Sequence, residues 1–346
     1  MSVNKNELFL RLAEIVAPSF YANGVCKDVT ITNIGEIFKT PENDFMLLAS
    51  ESNGSVDNVK TSDFEYFSEY LKRLPTLRGT RSYDLSKIIL EVLCGIERMP
   101  INGFSDEEIR KLWIDGNAKI FERGTESFNA EKLYSSDYIM RKTCCDEKCH
   151  IYDDIHTLVC DYTELDFIRP DPYHAGLICD KEISGEKLNN YEISLLMSQK
   201  IYEYISKNKC EKIQLHLRSF GDKKVLFELV EYLKRLNKPL DIFIAYETFF
   251  ELDDILKLAS LTDENIKISP EIVITNYDSL NVLTNRLSTL FAVYPTGQIR
   301  FGGAVTDSPT LFFEHILFNR ALFSVLCEIE NDQRKAYEKL RKIICR

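Results

Sequence analysis

From about residue 157 to the C-terminus, short apolar runs alternate with amphipathic stretches, and this alternation constrains the fold more than any other feature of the chain. Residues 157–162, 212–217, 241–246, 267–275 and 299–306 read as strands, with shorter candidates at 166–169 and 176–179. Between them, residues 191–208, 223–236, 252–261, 280–291 and 311–326 carry apolar positions at helical spacing. Short buried strands, each followed by one amphipathic helix, are how right-handed βα units succeed one another in a parallel sheet. The expected class is α/β, as a (β/α)8 TIM-like barrel, with a doubly wound sheet as the alternative.

The first part of the chain is different. A helix is expected at 5–17, a first strand at 25–32, where Val25, Val29 and Ile31 supply β-branched alternation, and a second strand at 45–49. Residues 60–142 then read as a helical insertion after the first strand, through Phe64, Phe67 and Leu71, then Ile88, Ile89, Val92 and Leu93, then Ile109, Leu112, Trp113 and Ile120. Ser105 and Glu108 form an S-x-x-E capping box that starts one of its helices. There is no internal repeat, and the punctuation at Ser52-Asn53-Gly54-Ser55 and Pro170-Asp171-Pro172 marks loops, so residues 1–346 are expected to be a single barrel domain. With 45% hydrophobic and 28% charged residues the chain has a sizeable core to bury. Its 43 basic against 54 acidic residues give a net charge of -11 with no basic block, which argues against a nucleic-acid partner. No apolar run reaches the roughly 18 residues of a membrane helix, and the N-terminus lacks signal-peptide order, so a cytoplasmic protein with ten reduced cysteines is expected.

Parallel barrels carry their chemistry at the C-terminal ends of strands, so the polar residues that finish the apolar runs are the candidates. They are His216 with Arg218, Asp307 before Ser308, Arg169 and the pair Thr30 and Thr32. An imidazole at 216 suits a metal ligand or general base, against the alternative of a core histidine satisfied by backbone. Asp307 suits proton transfer, or else an N-cap for the helix that follows. Arg169 offers a planar fork for a carboxylate, or else an ordinary ion pair. The group Cys144, Cys145, Cys149 and His150, with His156 and Cys160 downstream, has soft ligands but none of the spacing of a zinc site, and its charged surroundings suit a solvated loop.

Taken in order, these strand ends resemble the uronate isomerases of the amidohydrolase superfamily. Ile139-Met140-Arg141-Lys142 is similar to the family's Met-Arg-Arg segment, Ile168-Arg169-Pro170-Asp171 to its Trp-Arg-Pro-Asp, Gln214-Leu215-His216 to its Gln-Leu-His strand, and Thr306-Asp307-Ser308 to its closing Thr-Asp-Ser. Glu91 falls in the family's helical excursion, and Arg320, with Leu322 and Leu326, in the helix after the last strand.

The resemblance implies a distorted barrel and aldose–ketose isomerisation of a hexuronate. His216 would polarise the substrate oxygen, Asp307 would serve as base, and Arg169 and Arg218 would bind substrate. Three departures accompany it. The superfamily's metal-holding Asp-x-His-x-His reads Asp28-Val29-Thr30-Ile31-Thr32, Pro309 stands where an arginine is expected, and the chain is shortened in two places, after the first strand, where a substrate loop is expected, and between Asp171 and Tyr191, as if part of a βα unit were missing. Threonine is a poor zinc ligand, so Thr30 and Thr32 are degenerate metal positions and no metal cofactor is expected. The expected partner is a small sugar acid, and a gapped barrel, with its parallel edges exposed, is expected to self-associate. The competing expectation is an inactive or re-purposed barrel that acts in sugar-acid binding or assembly.

Overall fold

Seven strands in the computed structural model form one wholly parallel sheet, in the order β2-β1-β7-β6-β5-β4-β3. The structure describes residues 21–23, 30–39, 62–124, 139–141, 157–161, 212–216, 223–235, 238–246, 251–274, 278–295, 298–303 and 308–344. Among them the strands are β1 (Tyr21–Asn23), β2 (Ile139–Arg141), β3 (Thr157–Asp161), β4 (Lys212–His216), β5 (Leu240–Tyr246), β6 (Ile266–Val273) and β7 (Arg300–Gly303). The helices are α1 (Ile34–Phe38), α2 (Asp63–Arg73), α3 (Arg81–Cys94), α4 (Asp106–Arg123), α5 (Lys223–Arg235), α6 (Leu252–Ser260), α7 (Leu280–Phe291), α8 (Ser308–Glu330) and α9 (Gln333–Ile344).

From β3 to β7 each strand lies beside its sequence neighbour, and β1 pairs with both β2 and β7, so the order is that of a ring cut once, between β2 and β3. In a flat sheet those two edges would stand six spacings apart, about 29 Å. Here they approach within 8 Å Cα–Cα, so the sheet curls until its edges meet. The strands are also staggered. Relative to the ladder row through His216, β5, β6, β7 and β1 end one, two, three and four residues further on. Such stagger accompanies the tilt of strands in a closing sheet.

The two faces of this sheet differ, and the pleat says why. Leu240, Ile242 and Ile244 of β5 and Ile266, Ile268 and Ile272 of β6 fall on one face and are buried. By register that face also receives Ile213 and Leu215 of β4 and Leu158 and Cys160 of β3. Pro270 lies in β6 one residue before the β6–β7 ladder begins, where β6 has only one ladder neighbour and its missing N–H costs least.

α8 is buried nearly all round, as an all-round apolar helix must be, and packs against α3, α7 and α9. Two ion pairs cross from α3 to it. Arg81 pairs with Glu314, both buried, and Arg320 pairs with Glu91 at 2.6 Å. Asp84 of α3 accepts a hydrogen bond from the Leu280 N–H at the start of α7, at 2.7 Å, and burial holds its carboxyl above the usual range. The helical insertion is thereby tied to the last two βα units.

Several expectations are corrected. Of the first strand expected at 25–32, residues 25–29 lie outside the described residues, and Thr30, Ile31 and Thr32 are not strand. Thr30–Asn33 instead lead into α1, because the Thr32 N–H and hydroxyl both donate to the Glu36 carboxylate, at 2.6 and 2.9 Å, while the Asn33 side chain accepts from the Glu36 N–H. Residues 139–141, assigned to the insertion, form β2, a run too short to display a period. The sequence reading ends at the helix after β7, whereas the structure adds α9. The helices α5, α6 and α7 and the strands β3 to β6 fall within about two residues of expectation, whereas α8 starts three residues before and ends four residues beyond the expected 311–326. The candidate elements at 5–17, 45–49, 166–169, 176–179 and 191–208 lie outside the described residues. The Ser105–Glu108 capping box is present, with both reciprocal hydrogen bonds. No helix among the described residues is long and apolar enough to cross a membrane.

Candidate active site at the strand ends

The face opposite the apolar one carries the candidate residues. Parallel strands in register hold paired residues on the same face. The Cα partners Asp161, His216, Ala245, Glu271 and Arg300 therefore form one row across β3 to β7. Two residues along from Arg300, Gly302 pairs with Tyr21, which places Asn23 on this face, and Asn23 pairs with Arg141. Polar residues thus gather on the face that lacks the isoleucine and leucine ladder.

The stagger selects among them. At the C-terminal edge, where parallel α/β enzymes place their reactive groups, the last residues of β1, β2, β3 and β4 are Asn23, Arg141, Asp161 and His216. By register all four fall on the polar face, Asn23 beside Arg141 and Asp161 beside His216. His216 holds the last position of β4, which ends one residue before the expected Leu217. Its neighbour Asp161 was missed because the run was read one residue too long, and Asn23 and Arg141 because their strands were not recognised. The legible signal for Asp161 was the alternation Thr157-Leu158-Val159-Cys160-Asp161, which ends on a carboxylate.

Arg169, Arg218 and Asp307 lie outside the described residues, and so do Cys144, Cys145, Cys149, His150 and His156. Cys160, the remaining member of that group, sits in β3 on the apolar face, the one opposite Asp161. Thr30 and Thr32 are exposed, and the Thr32 hydroxyl is committed as a donor to Glu36 Oε1. A hydroxyl used in this way does not replace an imidazole on zinc. The donor set at Thr30 and Thr32 does not fit a zinc ion.

Two further titratable residues, His315 in α8 and Cys94 at the end of α3, lie away from the strand ends. His315 is buried, and burial pushes its imidazole down to about 4, so it is neutral at working pH. Burial also pushes the Cys94 thiol up to about 12, which leaves it inert; its Sγ donates to the Leu112 carbonyl at 3.4 Å.

No family model matches the sequence, and no curated protein matches it either. In structure the chain is similar to a uronate isomerase from Thermotoga maritima, with a TM-score of 0.63 and 16% identity over 99% of this chain and 96% of that one. It aligns less closely with a uronate isomerase from Bacillus halodurans C-125, with a TM-score of 0.42 and 10% identity over 99% of this chain and 94% of that one. At 16% identity the first likeness is one of fold.

Proposed function

We propose that the curled sheet closes as a (β/α) barrel between β2 and β3, and that its C-terminal mouth interconverts the aldose and ketose forms of a hexuronate. The observation that carries this reading is the in-register pair Asp161 and His216 at the C-terminal ends of adjacent parallel strands. The full-length likeness in fold supports it.

The reaction moves protons and nothing else. A base takes the proton from C2, the carbonyl oxygen at C1 gains one, and the enediol then loses the O2 proton while C1 is reprotonated. Such a sequence needs an acid and a base of matched strength and groups that stabilise the enediolate charge. His216 is assigned to the oxygen that gains and loses charge, Asp161 to holding the imidazole in the useful tautomer, and Asp307 to the carbon-bound proton. Arg169 and Arg218 are assigned to the substrate's polar groups, with the carboxylate at Arg169. Hydrogen bonding and proton exchange on carbon do not require a metal-bound hydroxide.

The test is turnover of glucuronate and galacturonate followed by NMR. Wild type is expected to form the ketose. His216→Asn is expected to lower the rate by about 100-fold or more, and Asp161→Asn by a smaller factor, without changing the fold. Equal rates in wild type and His216→Asn would overturn the assignment.

A second reading, a re-purposed barrel that binds a sugar acid without turning it over, is favoured by the Thr32 hydroxyl held by Glu36 where a metal-binding imidazole is expected. It predicts saturable binding with no product at any enzyme concentration. A homo-oligomer belongs to either reading. Phe121 is 85% exposed and Ile114 65% exposed, one heptad apart on α4, which gives a second copy an apolar strip to cover. Light scattering is expected to return a multiple of the 40.1 kDa chain mass.

A further inference from the structure

α4 turns two different faces to its surroundings. Inward, Ile109, Leu112, Gly116 and Ile120 are buried, and Trp113 meets Phe64 edge to face. The Asn117 side chain accepts a hydrogen bond from the Ile34 N–H at 2.8 Å, which fixes the helix against α1. Outward, Ile114 and Phe121 are largely exposed, and Ala118 is exposed between them, so the three form one apolar strip at i, i+4 and i+7. Lys111 and Glu122, both exposed, fall by helical rotation roughly 60° and 80° to the same side of Ile114.

We infer that α4 docks antiparallel against α4 of a second copy of this chain about a two-fold axis. Ile114 of each copy covers Phe121 of the other, Ala118 lies at the crossing, and Lys111 faces Glu122. The inference rests on the homo-oligomer of the proposed function, gives it an interface, and does not depend on turnover.

The self-complementarity of the strip carries it. A two-fold axis between antiparallel helices keeps each flank on its own side, so a residue meets one from the same flank of the other copy. The centre of the 114–121 pair and the centre of the 111–122 pair lie one residue apart, about 1.5 Å along the helix, so a single register serves both. A parallel pairing would set Lys111 on Lys111 and Glu122 on Glu122, and like charges repel. In the antiparallel register Glu107 and Arg110, the other charges near the strip, lie past the end of the partner helix. Glu122 also bonds Lys119 of its own helix at 3.0 Å, an exposed pair that costs little to exchange. Ala118 falls where the two backbones come closest, and a small side chain there permits a short distance between axes. A face that matches its own reversal in both shape and charge fits a second copy, which a surface for a different protein has no need to do. The strip covers less than the roughly 800 Å² per partner of a standard interface, so the association depends on concentration.

Sedimentation equilibrium of the full chain over a range of concentrations tests this. Wild type is expected to reach at least twice the 40.1 kDa chain mass as concentration rises. Phe121→Ser is expected to weaken association by about tenfold or more. Lys111→Glu and Glu122→Lys are each expected to weaken it by about tenfold, because the symmetry doubles each change. An equal mixture of Lys111→Glu and Glu122→Lys is expected to associate as wild type does, since in the mixed pair each 111 again faces the opposite charge. Thermal midpoints identify any variant that has merely unfolded, and the charge-exchanged mixture decides the matter if Phe121→Ser does so. Wild type at the mass of one chain at every concentration would overturn the inference and the homo-oligomer together. Undiminished association in folded Phe121→Ser, or charge variants that fail to restore each other, would overturn the inference and leave a homo-oligomer through another face. None of these results touches the chemistry assigned to the strand ends.

Discussion

His315 shows how far a buried side chain departs from its behaviour in water. Its folded pKa of about 4 lies below the ordinary 6.5 because burial penalises the charged ring. Between those values the unfolded chain binds a proton that the folded chain does not, so stability rises with pH across this window and is lost as pH falls through it. Asp84 acts in the opposite sense, because its raised carboxyl is protonated more readily folded than unfolded. Urea denaturation midpoints are expected to fall on acidification from pH 6.5 towards 4, and His315→Gln is expected to flatten that fall. An identical pH profile in the variant would show that another group controls it. Next to it, Glu314 and Arg81 are a buried pair in which the loss of one partner strands the other. Glu314→Gln is expected to cost about 3–5 kcal/mol, and Arg81→Met combined with Glu314→Leu less than that single change, by urea titration. The charges at 81 and 314 are visible in the sequence, but nothing in local spacing says that residues 233 apart will meet.

The elements were legible where periodicity was long enough to read. α7 was expected at 280–291 and is found there, because Leu283, Leu287 and Leu290 mark its buried face and Ser279 caps it. The three residues of β1 and of β2 carry no period at all, and their strand character comes entirely from pairing with each other and with β7. α9 was missed because its charges outnumber its apolar residues; only Ala336 and Leu340 are buried. The α1 helix meets α2 and α4 through glycines whose role depends on contacts the sequence does not display. A Cβ at Gly35 would stand 2.7 Å from the Asp63 carbonyl oxygen, a backbone atom that cannot swing away, and one at Gly116 would stand 2.5 Å from Ile34 Cδ1. Gly35→Ala is expected to cost about 1–3 kcal/mol through overpacking, and Gly116→Ala less, since an isoleucine methyl yields more readily than a carbonyl. Comparable thermal shifts for the two would contradict this account of the α1 interface.

At the scale of the molecule, strand order and stagger do what no single motif does. They bring the end of β4 beside the end of β3, and the end of β2 beside the end of β1. Strand ends are readable wherever a run is well bounded, as at His216 on β4. Asp161 and Asn23 were not singled out, and Arg141 only within a resemblance, because placing them at strand ends requires the register of strands far apart in the chain. The polar face of the sheet, and not the threonine pair, is therefore where the proposed function places its residues. The most direct measurement is solvent exchange: the full chain incubated with glucuronate or galacturonate in D2O, with the sugars followed by NMR. The account predicts ketose formation with deuterium entering at the carbons that exchange protons, and its loss in His216→Asn. Recovery of the unchanged, fully protonated aldose from a folded protein that binds it would contradict proton transfer at this site.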